Sequence, residues 1–171
     1  MVVVIMGVSG SGKSTLGELL AHELGGRFFE ADNYHPADNI NKMMAGVPLE
    51  DEDRAPWLKK LADNITKWSR QEGVVILACS ALKRAYRVRL RGKNGAQVCF
   101  IYLHGERELI QQRLAKRKSH FMPASLLDSQ FSTLEEPADA LYISALLPQK
   151  EQLRKLLLFL KKCDSPPDSS V

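Results

Sequence analysis

Residues 7–14, Gly7-Val-Ser-Gly-Ser-Gly12-Lys13-Ser14, fit the phosphate-binding pattern G-x-x-x-x-G-K-[ST]. The apolar run Met1–Met6 precedes them and predicts a strand buried on both faces, while Ser14–Leu24 follows with leucines at helical spacing. A glycine-rich loop between a strand and a helix can curl its backbone N–H groups around an anion, and the helix dipole adds to the attraction. The motif therefore predicts an α/β fold with a site for a nucleoside triphosphate.

Individual residues of this loop have predicted roles in binding ATP. Lys13 can reach the β and γ phosphates, which makes it a catalytic candidate, and the Ser14 hydroxyl can ligate Mg²⁺. The residues predicted to contact the nucleotide here are Gly7, Val8, Ser9, Gly10, Ser11, Gly12, Lys13, Ser14 and Thr15.

The rest of the chain continues the alternation of strands and helices. Further strands are predicted at Arg27–Ala31, Val74–Cys79, Gln97–Leu103 and Leu141–Ser144. Further helices are predicted at Pro36–Ala45, Arg54–Arg70, Ala81–Leu90, Glu106–Arg117, Pro123–Ser129 and Gln149–Lys162. This order predicts a parallel sheet covered by helices on both faces. Ligands bind beyond the carboxyl ends of such strands, which are here Gly7, Asp32, Ser80 and His104.

Length and composition fit a single globular domain. The chain has 171 residues, 44% of them hydrophobic and 26% charged, and it contains no apolar run near the roughly 20 residues of a membrane helix. Residues 1–163 are predicted to form one domain and residues 164–171 a flexible tail. The cysteines Cys79, Cys99 and Cys163 are odd in number and lack C-x-x-C spacing. This pattern disfavours a disulfide framework or a zinc site and indicates a reducing cytoplasm.

Charge is distributed unevenly along the chain. The net charge is +4, yet residues 81–120 hold eleven Lys or Arg against only Glu106 and Glu108. That segment is therefore +9 and the remainder is −5. Such a field attracts anions, which can be small phosphates and carboxylates or a nucleic acid.

Asp32 is the leading candidate for a residue that acts on a phosphoryl acceptor. The third predicted strand ends at Leu77–Ser80 without the carboxylate that a GTPase or motor places there, whereas the second strand ends at Asp32. From that edge Asp32 could accept a proton from an acceptor hydroxyl or help to hold the metal. Alternatively, Asp32 and His35 could cap the helix that opens at Pro36.

Several cations are candidate ligands for anions. Arg54 is predicted to open a helix, where the dipole disfavours a cation unless it pairs with the acids just before it. Lys83 and Arg87 are i, i+4 neighbours on a predicted helix and could grip a carboxylate or phosphate. Arg113 and Arg117 have the same spacing ahead of a loop and suit a lid that neutralises a transferring phosphoryl group. A solvated helix face is the alternative for each pair.

A series of short motifs resembles the bacterial and animal gluconokinases. The matching blocks are Met6–Ser14, Asp32-x-x-His35-Pro36, Asn39-x-x-Lys42-Met43, Gly46-x-Pro48-Leu49, Asp53-Arg54-x-Pro56-Trp57-Leu58, Cys79-Ser80-Ala81-Leu82-Lys83-x-x-Tyr86-Arg87, His120-Phe121 and Gln130-Phe131-x-Thr133-Leu134-Glu135-x-Pro137. They run in order from about Met1 to Pro137 and are far more specific together than the phosphate-binding loop alone.

The resemblance implies ATP-dependent phosphorylation of D-gluconate at its terminal hydroxyl, which supplies 6-phosphogluconate to the pentose phosphate pathway. It also implies a three-layer P-loop kinase fold similar to nucleoside monophosphate kinases, with a five-stranded parallel sheet, a short helical lid at about 113–131 and commonly a homodimer. Asp32 would be the base, while Arg113 and Arg117 would serve the nucleotide and the lid, Arg117 also as a catalytic residue. The residues implied to contact gluconate are Asp32, His35, Arg54, Ser80, Lys83, Arg87, His120 and Gln130.

The sequence departs from the family pattern in two places. Ser119 stands where a glycine is expected before His120, and the match weakens after Pro137, so contacts to adenine are not assigned. Another small-molecule kinase of the same fold, such as one of the shikimate type, is the second hypothesis. A nucleotide-gated nucleic-acid-binding module is the third, and the lack of aromatic residues interleaved with the basic ones argues against it. We therefore expect a small-molecule substrate and neither a nucleic-acid nor a membrane partner.

Overall fold

Five parallel strands form the centre of the molecule. The computed structural model describes residues 1–92, 98–116 and 126–164. The strands are β1 (Val2–Met6), β2 (Arg27–Glu30), β3 (Val75–Ala78), β4 (Val98–His104) and β5 (Leu141–Ser144), in the spatial order β2-β3-β1-β4-β5. Val2 pairs with Val75 on one side and Val98 on the other, and every pairing between these strands is parallel. The predicted five-stranded parallel sheet is confirmed.

Helices connect the strands along the described residues. They are α1 (Lys13–Glu23), α2 (Ala37–Met44), α3 (Asp51–Trp68), α4 (Arg84–Arg91), α5 (Arg107–Ala115), α6 (Leu126–Thr133) and α7 (Gln149–Asp164). A 3₁₀ turn at Ala31–Tyr34 lies between β2 and α2 and carries Asp32 beyond the end of the sheet.

The sheet is buried on both faces because strand side chains alternate in direction. All five residues of β1 are fully buried. Val2, Val4 and Met6 pack with residues of α3 such as Trp57 and Leu61. On the opposite face, Val3 and Ile5 of β1 pack against α1 and α7. The helices contribute Leu16, Leu20, Leu156 and Leu160 to this cluster. The three layers implied by the sequence are therefore present.

Helix α3 begins three residues earlier than predicted. Glu50 and Asp53 form a capping box, in which the side chain of each residue accepts a hydrogen bond from the backbone N–H of the other. The acidic residues of the first turn also complement the positive end of the helix dipole. Arg54 therefore does not open the helix, and the prediction that it stands in an unfavourable terminal position is wrong.

Helix α4 begins at Arg84 rather than at the predicted Ala81. Ala81 has a φ of 43°, in the left-handed region that no helix of L-residues can continue through. Lys83 is consequently the N-cap, with extended backbone, and lies outside the helix. Lys83 and Arg87 do not share a helical face as predicted.

Several sequence predictions fall outside the described residues. Arg117, Ser119 and His120 lie in the range 117–125, which is the central part of the predicted lid at about 113–131. The predicted tail is described only at residue 164. Among the residues that the structure does describe, none of the helices has the length and apolar character required to cross a membrane.

Candidate active site

The glycine-rich loop curls between β1 and α1, and two of its glycines are sterically required. Gly7 has a φ of +141°, and a Cβ there would lie 2.6 Å from the carbonyl oxygen of Leu103. Gly10 has a φ of +82°, and a Cβ there would lie 2.9 Å from Cγ of Leu114. Any larger residue would force this loop away from β4 and α5. The loop is thus shaped by its glycines into the cradle that a phosphate chain needs.

Lys13 and Ser14 lie at the start of α1, where the loop meets the helix. The Lys13 ammonium donates to the Val8 carbonyl at 2.9 Å, so it folds back over the loop. The Ser14 hydroxyl donates to Oε2 of Glu30 at 2.6 Å. Burial raises the pKa of the Glu30 carboxyl, while the Ser14 hydrogen bond acts in the opposite direction.

Glu30 is a functional candidate that the sequence analysis missed. It ends β2 two residues before Asp32, and its carboxylate contacts the hydroxyl predicted to ligate Mg²⁺. The available signal was the second carboxylate in Glu30-Ala-Asp32, which places two acids at one end of the sheet.

A groove on one side of the loop is bordered by groups suited to a nucleotide. Its lining includes Gly10, Gly12, Thr15 and Arg113. Arg113 donates to the Ser11 carbonyl at 3.0 Å and to the Ala145 carbonyl at 2.6 Å. This arginine therefore joins the loop to the segment that follows β5.

On the other side of the loop lies a second pocket, which we call the acceptor pocket. It brings together six of the residues predicted for catalysis or substrate binding, although they come from distant parts of the chain. These are Lys13, Asp32, His35, Arg54, Ser80 and Gln130, and Ser9, Trp57 and Tyr86 also line the cavity.

Asp32 and His35 face each other at this pocket. His35 Nε2 lies 4.0 Å from Oδ1 of Asp32, and the Asp32 side chain is 43% exposed whereas that of His35 is 5% exposed. Burial lowers the pKa of His35 to about 4, so the ring is neutral near pH 7. Neither side chain caps α2, since its N-cap is Pro36 without a side-chain hydrogen bond. The alternative of a capping role is therefore wrong.

Arg54 and Gln130 contribute polar groups to the acceptor pocket. Arg54 donates to the Leu49 carbonyl at 2.5 Å and lies 3.9 Å from Oδ1 of Asp51. The contact with Asp51 is long, and Arg54 also forms part of the pocket wall. Gln130 of α6 accepts the backbone N–H of Ser9 through Oε1 at 2.6 Å, which docks α6 on the glycine-rich loop.

Lys83 and Arg87 do not line the acceptor pocket, and they are not neighbours on one helical face as predicted. Their contacts with the substrate stay a prediction. Lys83 binds both carboxylate oxygens of Asp51, at 2.8 and 2.7 Å. Tyr86 donates to the same carboxylate, and these two hydrogen bonds lower the pKa of Asp51. Arg87 is only 3% exposed, and it donates to the carbonyls of Ala81 and Leu82 at 3.1 and 2.9 Å. The left-handed Ala81 separates the two side chains, since it delays the start of α4.

Comparisons with known proteins agree over most of the chain. The model of the shikimate kinase family matches residues 9–152. A probable gluconokinase of Xenopus tropicalis is 47% identical over 152 residues, which cover 81% of this chain and 80% of that protein.

Solved structures give the same picture. The crystal structure of an unliganded sugar kinase from Janibacter sp. has a TM-score of 0.84 at 44% identity and covers 94% of both chains. The crystal structure of a gluconokinase from Sinorhizobium meliloti has a TM-score of 0.78 at 39% identity and covers 95% of this chain and 97% of that one. The similarity to both structures thus extends over nearly the whole chain.

Proposed function

The chain belongs to the gluconokinase family, within the broader group matched by the shikimate kinase model, and from that membership we propose that it phosphorylates D-gluconate with ATP. One observation supports this reaction above the others: Lys13 of the glycine-rich loop and Asp32 line the same cavity. A phosphoryl donor held on the loop and a hydroxyl held near Asp32 would therefore meet in one place.

On the donor side, the loop amides and Lys13 bind the phosphates of ATP. Arg113 stabilises the loop through its hydrogen bond to the Ser11 carbonyl. The hydroxyl of Ser14 and the carboxylate of Glu30 supply oxygen atoms, which are the ligands that Mg²⁺ prefers. When bound, Mg²⁺ would neutralise charge on the β and γ phosphates. The family resemblance adds Arg117 as a cation on the transferring group.

On the acceptor side, Asp32 takes the proton of the terminal gluconate hydroxyl. The hydroxyl oxygen bonds to the γ-phosphorus as the bond from that phosphorus to the β–γ bridging oxygen breaks, and ADP leaves. Arg54, Ser80 and Gln130 provide polar groups for the hydroxyls and the carboxylate of gluconate. His120 is added to this set by the family resemblance alone.

The assembly and location of the protein are further parts of this proposal. We expect residues 1–163 to form one domain, the active protein to be a homodimer, and its product to enter sugar-acid catabolism in the cytoplasm. The buried thiol of Cys79 is consistent with a reducing compartment. Light scattering coupled to size-exclusion chromatography tests the dimer, since a monomeric mass for the active enzyme would contradict it.

A coupled ADP-release assay over a panel of acceptors tests the proposed reaction. D-Gluconate should support rapid ADP release, whereas shikimate, adenylylsulfate and nucleoside monophosphates should give little. Shikimate is the critical control because the matching family model carries that name. Equal turnover of shikimate and gluconate would contradict the proposal and favour the second hypothesis, a kinase of the same fold with another acceptor.

A further inference from the structure

Asn39 is a buried amide that the reaction proposed above does not use. It lies on α2, is only 4% exposed, and places its Nδ2 between two acceptor groups. One is the backbone carbonyl of Asp53 on α3, at 2.8 Å, and the other is Nδ1 of His35, at 3.2 Å. Asn39 therefore connects α2 to α3 and also contacts the ring of His35, which lines the acceptor pocket.

The Asp53 carbonyl fixes which end of the amide faces the histidine. A carbonyl oxygen can only accept a hydrogen bond, so the NH₂ end of Asn39 must point toward it. The opposite orientation would set two oxygen atoms against each other in a buried place. Since the same nitrogen approaches His35 Nδ1, the amide must donate to that ring nitrogen as well.

This geometry determines the tautomer of His35. A ring nitrogen that accepts a hydrogen bond carries no proton, so Nδ1 is bare and the proton of the neutral ring is on Nε2. The ring also has little freedom to turn away, because it stacks on Trp57 with centroids 4.3 Å apart and planes 10° apart. Trp57 is itself held in place, because its indole N–H donates to the Ala31 carbonyl at 2.8 Å. Ala31 directly precedes Asp32, the proposed base.

The protonated nitrogen faces the place where the acceptor substrate would bind. Nε2 lies 4.0 Å from Oδ1 of Asp32, which is too long for a direct hydrogen bond. The other charged group acting on the ring is Arg54, which opposes a positive charge there. A neutral Nε2–H is therefore free to donate to an oxygen atom of a ligand beside Asp32.

We propose that Asn39 is a positioning residue that holds His35 as the Nε2–H tautomer, so that His35 offers the acceptor pocket a hydrogen-bond donor and leaves proton acceptance to Asp32. The ligand group that this donor fits is a hydroxyl or carboxylate oxygen. That it is an oxygen of gluconate rests on the proposed function, whereas the tautomer itself does not.

Nitrogen-15 NMR of the histidine rings tests the tautomer in the whole protein without any substrate. The His35 signals are assigned by their loss in His35→Gln, and near neutral pH they should show a protonated Nε2 and a bare Nδ1. A protonated Nδ1, a charged ring or a mixture of tautomers in the wild type would overturn the proposal.

Variants of Asn39 test whether this residue sets the tautomer. Asn39→Ala should leave His35 as a mixture of tautomers, and Asn39→Asp should move the proton to Nδ1 because a carboxylate can only accept there. Asn41→Ala is the matched control, since Asn41 lies exposed on the same helix. Circular dichroism checks that each variant is folded, and a folded variant of Asn39 that keeps a pure Nε2–H ring would overturn the role of Asn39.

Kinetics then connect the tautomer to the proposed reaction. Asn39→Ala and Asn39→Asp should raise KM for gluconate roughly three- to tenfold, the effect of one weakened hydrogen bond, and leave KM for ATP unchanged. A changed tautomer with an unchanged KM for gluconate would overturn the donor role of His35. If gluconate is not a substrate at all, the proposed function is wrong. The NMR experiments still test the role of Asn39 in that case, because they need no substrate.

Discussion

Asp32 is the residue on which the proposed chemistry most depends. Asp32→Asn keeps the shape of the side chain but removes its ability to accept a proton, so kcat should fall by about 10²- to 10⁴-fold. KM values should change less than kcat, because the amide keeps the shape of the side chain and one acceptor oxygen. Steady-state kinetics with gluconate and ATP measure both effects.

The matched control for this change is Asp38→Asn, because Asp38 is exposed in the first turn of α2. This variant should have wild-type kinetics. If Asp32→Asn also kept a near-normal kcat, Asp32 could not be the base.

His35 should make the stability of the protein depend on pH. Burial lowers its pKa in the native state from 6.5 to about 4, so the unfolded chain binds this proton at higher pH than the folded protein does. The contribution of the neutral ring to the free energy of unfolding is therefore complete above pH 6.5 and is lost as the pH falls toward 4. Urea unfolding at about pH 7 and about pH 5 should show a smaller loss in His35→Gln than in the wild type. Equal losses would mean that the ring titrates normally.

Arg87 should act on stability through the backbone rather than on substrate binding through its charge. Its guanidinium is buried and satisfies the carbonyls of Ala81 and Leu82, on either side of the left-handed turn that leads into α4. Arg87→Ala should lower the free energy of unfolding by about 1–3 kcal/mol, the cost of leaving such buried groups without a partner.

Urea unfolding measures this loss, with Arg89→Ala as the control because Arg89 is exposed on the same helix. The control should be within about 0.5 kcal/mol of the wild type. An Arg87→Ala protein of unchanged stability but much higher KM for gluconate would restore the contact role implied by the family resemblance.

At the scale of elements, the side chain of Gln130 links α6 to the glycine-rich loop. Gln130 accepts the Ser9 backbone N–H at 2.6 Å, so the position of α6 and the shape of the loop are coupled. Gln130→Ala should speed hydrogen exchange of the α6 amides and lower kcat/KM for gluconate roughly two- to tenfold. Ser132→Ala, exposed on the same helix, should do neither. Unchanged exchange in Gln130→Ala would show that α6 is held in place by other contacts.

The existence of the elements could be predicted from the sequence, but the starts of two helices could not. Periodic leucines and β-branched runs identify strands and helices because burial follows those periods. The start of α3 depends on a reciprocal cap between Glu50 and Asp53, and the start of α4 depends on a left-handed φ at Ala81. An alanine carries no local signal for such a backbone, whose carbonyl here accepts a hydrogen bond from Arg87.

The candidate site was predictable to the extent that it depends on strand ends. Lys13, Asp32 and Ser80 meet because the carboxyl ends of parallel strands lie along one edge. The ion pair of Lys83 could not be predicted, because its partner Asp51 is 32 positions away in the sequence. The roles of Glu30 and Asn39 required the three-dimensional structure, because they depend on hydrogen bonds to residues of other elements.

In the molecule as a whole, the central position of β1 explains why the loop serves both substrates. The strand lies between β3 and β4, so the loop that follows it stands at the middle of the sheet's carboxyl edge. The groove with Arg113 opens on one side of this loop and the acceptor pocket on the other. In the proposed reaction, the nucleotide and the small polar acid would therefore bind on either side of one glycine-rich loop.

The most direct test of this arrangement is to identify the product of the reaction. Purified protein is incubated with ATP, Mg²⁺ and D-gluconate, and the products are examined by mass spectrometry and phosphorus-31 NMR. We expect gluconate carrying one phosphate on its terminal hydroxyl, formed in equal amount to ADP. Release of ADP and free phosphate without phosphorylated gluconate, or phosphate on a different hydroxyl, would contradict it.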